Sequence, residues 1–97
     1  MPKFYPGKYQ YIWNMGTGDV RIYDVFHDGR VREKKSKTGE MQFISKAEAL
    51  SKLDDIISYY ERGFEMYKGS GLYSKTYKTN AEIHKQIREF INERLRD

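Results

Sequence analysis

The chain contains no cysteine. That absence excludes disulfides, zinc–thiolate centres, iron–sulfur ligation and thiol nucleophiles, and it leaves packing alone to stabilise the fold. No apolar run approaches the ~18 residues that a membrane span needs. The opening Met1-Pro2-Lys3-Phe4 is not followed by the apolar segment of a secretory signal. The expectation is a cytoplasmic protein that makes no membrane contact. His27 and His84 lie far apart, and neither has the i+4 histidine or cysteine neighbour that metal sites use, so no metal ligand is expected. Gly16-Thr17-Gly18 lacks the rest of a dinucleotide fingerprint, and no phosphate loop is present. No cofactor is expected. Neither an internal repeat nor a domain linker is visible, and 97 residues hold one domain.

What the chain does have is charge and aromatic rings. Charged residues make up 33% and aromatic residues 15%, with nine tyrosines. The mean hydropathy is −0.89, which is polar for a globular chain, yet the aromatic content is too high for a disordered one. The net charge of +4 is unevenly placed. It is +3 over residues 1–44, −2 over 45–67, +3 over 68–78 and zero over 79–97. The basic excess therefore sits in the first half and in one later segment.

The pattern predicts an α+β fold. An antiparallel sheet of three or four strands is packed against one helix, and an amphipathic helix follows at the C-terminus. The sheet occupies 1–44, the helix 45–66, a Tyr/Lys-rich loop 67–79 and the C-terminal helix 80–97. Tyr9 to Asn14 alternates large and polar side chains, and turn residues follow at Gly16 to Asp19. Val20 to Phe26 is rich in β-branched and aromatic residues, and Asp28-Gly29 after it is a strong hairpin signal. Arg30 to Ser36 is then the returning strand. A turn at Lys37 to Glu40 leads into the short strand Met41 to Ile44.

Ser45-Lys46-Ala47-Glu48 is a capping box. From it Leu50, Leu53, Ile57, Tyr60 and Phe64 run at helical spacing, with Ile56 beside them, to cover the sheet. Thr79-Asn80-Ala81-Glu82 reads as a second cap. Ile83, Ile87, Phe90, Ile91 and Leu95 then form the stripe of the C-terminal helix, a stripe that could also be shared between two chains in a homodimer.

If Asp28-Gly29 forms a two-residue loop, paired positions sum to 57 and the faces of the hairpin separate. Val20, Ile22, Phe26 and Val31 fall on one face, expected to be the core side, together with Asp24, Glu33 and Lys35. Arg21, Tyr23, Val25 and His27 fall on the other, against Ser36, Lys34, Arg32 and Arg30. A basic face around a tyrosine suits nucleic acid, because cations neutralise phosphates while rings and guanidinium groups stack on or contact bases. The expected binding residues are Arg21, Tyr23, Arg30, Arg32 and Lys34, with Lys68, Lys75 and Lys78 as auxiliary phosphate contacts.

The succession Asp28-Gly29-Arg30, a basic strand, and then Phe43-x-Ser45-Lys46-x-Glu48-Ala49 opening a helix resembles the N-terminal arm-binding domain of phage-type tyrosine recombinases (integrases). The resemblance covers residues 20–57. It implies a three-stranded sheet packed on a helix, with the exposed sheet face contacting DNA in the major groove. It does not extend to a catalytic domain or to a nucleophilic tyrosine.

Two other readings stand beside it. Asp24 and Glu33-Lys34-Lys35 satisfy the loose acid and acid-x-lysine pattern of metal-dependent nucleases, which the 57 register would place on one face. The small size and the many tyrosines, residues favoured in interface hot spots, also suit a phage or mobile-element module that inhibits or adapts a host protein. The reading favoured by the sequence is a non-enzymatic, basic nucleic-acid-binding protein, with DNA preferred over RNA.

Overall fold

The computed structural model describes residues 10–14, 20–35 and 39–96, with the backbone alone given for 10–14, 20, 21 and 35. Four strands, β1 (Gln10–Asn14), β2 (Val20–Val25), β3 (Val31–Lys35) and β4 (Met41–Ile44), form one antiparallel sheet in the order β1-β2-β3-β4. Two helices follow, α1 (Lys46–Met66) and α2 (Leu72–Arg94). The expected α+β class and meander are present. Tyr9, Ser36 and the turns expected at 16–19 and 37–38 lie outside the described residues.

The β2–β3 turn sits where Asp28-Gly29 places it, but its geometry differs from the expectation. A two-residue type I′ turn needs φ > 0 at both central residues. Among the described residues only glycines have positive φ, Gly29 at 90° among them. The Gly29 amide donates to the Phe26 carbonyl at 3.0 Å, and the Phe26 amide donates to the Arg30 carbonyl at 2.9 Å. The loop is therefore His27-Asp28-Gly29, three residues long, with Gly29 in the left-handed position that such loops require. The Asp28 carboxylate fastens it, accepting from the Arg30 amide at 3.1 Å and from Arg30 Nε at 2.7 Å.

One extra loop residue moves the register by one. Tyr23 pairs with Glu33, Asp24 with Arg32 and Val25 with Val31, so paired positions sum to 56 rather than 57. Because strand side chains alternate with period two, the slip turns the whole of β2 over while β3 keeps its expected orientation. Tyr23 and Val25, expected on the solvent side, are buried with Val31 and Ile44 beneath the helices. Ile22 and Phe26, expected in the core, are half-buried on the opposite side.

The helices cover the Tyr23 side. Ser45 caps α1, its Oγ accepting from the Glu48 amide at 3.2 Å. Ala49 and Leu53 of α1 meet Ile87 and Ile91 of α2 over Val25, Val31 and Ile44, with Leu50, Ile83, Phe90 and Leu95 at the margin. Ile87 and Ile91 are the most completely buried large side chains, each contributing about 1.5–3 kcal/mol by burial. The stripe that the sequence offered for a homodimer thus packs within the chain's own core. Cross-helix ion pairs Arg88–Asp54 at 2.6 Å and Lys85–Glu61 at 3.0 Å lie outside it.

Residues 72–79 are a correction to the expected loop. They form the first two turns of α2, and only the turn around Lys68 to Gly71 separates the helices. Gly69-Ser70-Gly71 and the alternation of Tyr with Lys suggested a loop, and Thr79-Asn80 a cap. Thr76 and Asn80 bond backward inside the helix instead. Thr76 Oγ1 donates to the Leu72 carbonyl at 2.9 Å, and Asn80 Nδ2 donates to the Thr76 carbonyl at 3.0 Å. Tyr77 is drawn into the helix by ring contacts with Tyr59, Tyr60 and Tyr67, the last stacked with an interplanar angle of 3°. Gly71, with φ 64°, opens the helix.

Candidate nucleic-acid interface

The sheet face turned away from the helices carries Arg30, Arg32 and Lys34, as the sequence led us to expect, but with different companions. The register sets Arg32 between Asp24 on β2 and Phe43 on β4, and Lys34 between Ile22 and Met41. Phe26 and Phe43 form an aromatic pair across the face, with centroids 5.6 Å apart and planes tilted by 44°. The Arg30 guanidinium stands 4.9 Å from the Phe43 centroid and 5.6 Å from that of Phe26, and the Arg32 guanidinium stands 5.2 Å from that of Phe26. Such cation–ring contacts hold the guanidinium groups in place. Phe43 remains 49% exposed and Met41 55% exposed.

Each arginine also has a carboxylate partner. Arg32 Nη2 lies 3.0 Å from Asp24 Oδ2, and Arg30 Nε lies 2.7 Å from Asp28 Oδ2. The hydrogen bond from the Arg30 amide, with the Arg30 guanidinium beside it, holds the Asp28 carboxyl below its usual range. Three cations therefore stand against two carboxylates, a net charge of one for the five groups.

Other expected site residues lie elsewhere. Tyr23 is only 6% exposed and belongs to the core. Arg21 pairs with Lys35 and with Trp13, in the same alternating row as Tyr23, so its position belongs to the helix-covered face by register. Tyr11, opposite Tyr23, falls in that row as well. His27 is exposed in the hairpin loop. Lys68, Lys75 and Lys78 lie toward the far end of the helical pair. The C-terminal end of α2 abuts the β2–β3 turn, since a Cβ on Gly29 would stand 2.8 Å from the Leu95 nitrogen and 2.9 Å from the Arg94 Cβ. At ~1.5 Å per residue, Lys78 is roughly 24 Å along α2 from Arg94, and Lys75 farther still. The two basic clusters are separate surfaces.

The nuclease pattern is overturned by the same register shift. Asp24 lies on the open face bonded to Arg32. Glu33 lies on the buried side, 7% exposed, with Lys52 Nζ 3.9 Å from its Oε2. Acids on opposite faces of a sheet cannot share a metal ion. Among the described residues no group of three or more His, Asp and Glu could hold one, and no helix is long and apolar enough to cross a membrane.

The sequence expectation set Phe26 on the core side and did not single out Phe43, whereas the structure brings both rings together on the open face. The usable signal was in β3, where Val31 between Arg30 and Arg32 fixes which parity faces the core. In β2 both parities are apolar, so that strand could not orient itself. No protein-family model matches the chain, and no curated protein or solved structure matches it either.

Proposed function

We propose that this protein binds nucleic acid through the open sheet face, using Arg30, Arg32 and Lys34 with Phe26 and Phe43. The observation that carries the reading is the Phe26–Phe43 pair interleaved with two guanidinium groups on the side away from the helices. Cations that reach phosphates beside planar groups that stack on bases are the two chemistries nucleic acid offers a protein surface. The resemblance to the recombinase arm-binding domain supports the same face and favours DNA, but the duplex groove it implies is not part of this reading. The test is a binding assay with the Arg30→Ala/Arg32→Ala/Lys34→Ala variant. Loss of at least about tenfold in affinity is expected, at ~1.4 kcal/mol per decade. Wild-type affinity for both DNA and RNA in that variant removes the reading.

A second reading, a protein-interaction module acting on a host protein, is favoured by the tip of the helical pair. Leu72 is 78% exposed, Met66 75% and Tyr73 66%, a larger apolar display than solubility calls for. Lys68, Lys75 and Lys78 flank it in a segment without acids, which suits an acidic partner. A stoichiometric complex surviving nuclease treatment, and lost on Leu72→Asp, supports this reading. Recovery of nucleic acid alone counts against it.

A further inference from the structure

Resting on the nucleic-acid reading, we infer that the open sheet face takes single-stranded nucleic acid, holding unpaired bases on Phe43, Phe26 and Met41, rather than the outside of a duplex. A duplex turns its phosphates outward and hides its bases, so a protein that grips it without inserting side chains between base pairs relies on several uncompensated cations. Among the described residues this face is poorly supplied with them. Arg30 and Arg32 are each tied to a carboxylate, and the five charged groups sum to a single positive charge.

What the face has in quantity is apolar surface open to solvent. Phe43 and Met41 are about half exposed, and their register partners Arg32 and Lys34 place them on the same side of β4. The Arg30 guanidinium beside Phe43 adds a planar cation to the ring. Unstacked bases present flat π faces that rings and guanidinium planes accept without regard to sequence, whereas stacked duplex bases do not. The short strand β4 is at the edge of the sheet, and among the described residues no strand beyond it blocks a nucleic-acid strand from crossing Met41 and Phe43.

The same balance of forces sets the salt response. With one net charge among three cations, about one to three phosphate contacts are expected, and binding to a single strand loses affinity gradually as salt rises, with a log–log slope of about −0.7 to −2 rather than the steep slope that many phosphate contacts give.

The deciding experiment compares labelled DNA and RNA oligonucleotides of about 12 nucleotides, within the ~4–16 that small sheet domains cover, with the matching duplexes. Wild-type protein, Phe43→Leu, Phe43→Tyr and the triple alanine variant are each titrated by fluorescence anisotropy, and thermal melts report folding. The inference expects single strands to bind about tenfold or more tighter than duplex. Phe43→Leu should weaken single-strand binding by roughly tenfold, while Phe43→Tyr, which keeps the ring, stays within about twofold. The DNA and RNA arms identify the natural class. Equal or tighter duplex binding, or unchanged single-strand binding by a folded Phe43→Leu protein, overturns the inference, and if the triple variant still loses affinity the broader reading survives. No binding of any oligonucleotide by the wild type ends both.

Discussion

The ring of Tyr77 occupies the space that a β-carbon on Gly63 would need. Glycine inside an exposed helix normally costs about 0.5–1 kcal/mol relative to alanine, so Gly63 weakens α1 in order to let α2 approach. Tyr77 sits there among Tyr59, Tyr60 and Tyr67. The usual sign of a glycine-to-alanine change in a helix should therefore reverse. Gly63→Ala is expected to destabilise by about 1–3 kcal/mol through overpacking, read from urea denaturation midpoints. In a Tyr77→Ala background the same change should become neutral or stabilising. A stabilising Gly63→Ala in the wild type would show that the helices do not meet as described.

Gly29 bears two constraints at once. Its φ of 90° disfavours any β-carbon, and that carbon would meet the backbone nitrogen of Leu95 at 2.8 Å. Gly29→Asn, which tolerates the left-handed conformation, should rescue a purely conformational demand. It should not rescue this one. Both Gly29→Ala and Gly29→Asn are expected to lower stability by more than about 1 kcal/mol, measured by thermal unfolding. An asparagine variant of wild-type stability would remove the contact with the end of α2 from the account.

His84 is buried beside Tyr60, and the Asn80 carbonyl lies 2.7 Å from its Nδ1, which is assigned the proton in the neutral ring. Burial pushes its pKa below the ordinary 6.5, with the Asn80 carbonyl opposing in part. The unfolded chain therefore binds the proton more readily than the folded one. Stability from this group is fully present above pH 6.5 and is lost as pH falls from 6.5 toward the lower folded value. Denaturation midpoints measured between pH 7.5 and the carboxylate range should decline, and His84→Gln should flatten that decline. An unchanged slope in His84→Gln would contradict the burial argument.

Asp24 restrains Arg32 on the open face, with two nitrogens of the guanidinium bonded to its Oδ2. Asp24→Asn raises the charge of that face by one. Nucleic-acid affinity at low salt should increase, and the log–log salt slope should steepen by about 0.7 for a single strand. Isothermal titration at three salt concentrations reads both. Weaker binding would mean that Asp24 orders Arg32 for contact rather than competing with the ligand.

Much of the fold was legible because local signals agreed with one another. Ser45 and Glu48 marked the start of α1, and the i, i+3, i+4 stripe through Leu53 and Ile57 marked its buried side. Two misreadings have physical causes. Asp28-Gly29 located the turn, but a three-residue loop with a single left-handed glycine satisfies the same dipeptide, and one residue of slip reverses every side chain of β2. Residues 72–79 read as a loop because they follow Gly69-Ser70-Gly71 and alternate Tyr with Lys. Tyr77 packs against Gly63 across the two helices, and such a contact leaves no trace in a local window. The alternation of β3 alone placed Arg30, Arg32 and Lys34 on the open face, whereas the position of Phe26 and Phe43 there needed the register.

The most direct test of the central claim is residue-resolved NMR of the labelled protein titrated with a single-stranded oligonucleotide. The account predicts amide shifts concentrated at Phe26, Arg30, Arg32, Met41 and Phe43, with residues 66–78 unmoved. Shifts confined to the Met66–Lys78 tip, or none at saturating oligonucleotide, would contradict it.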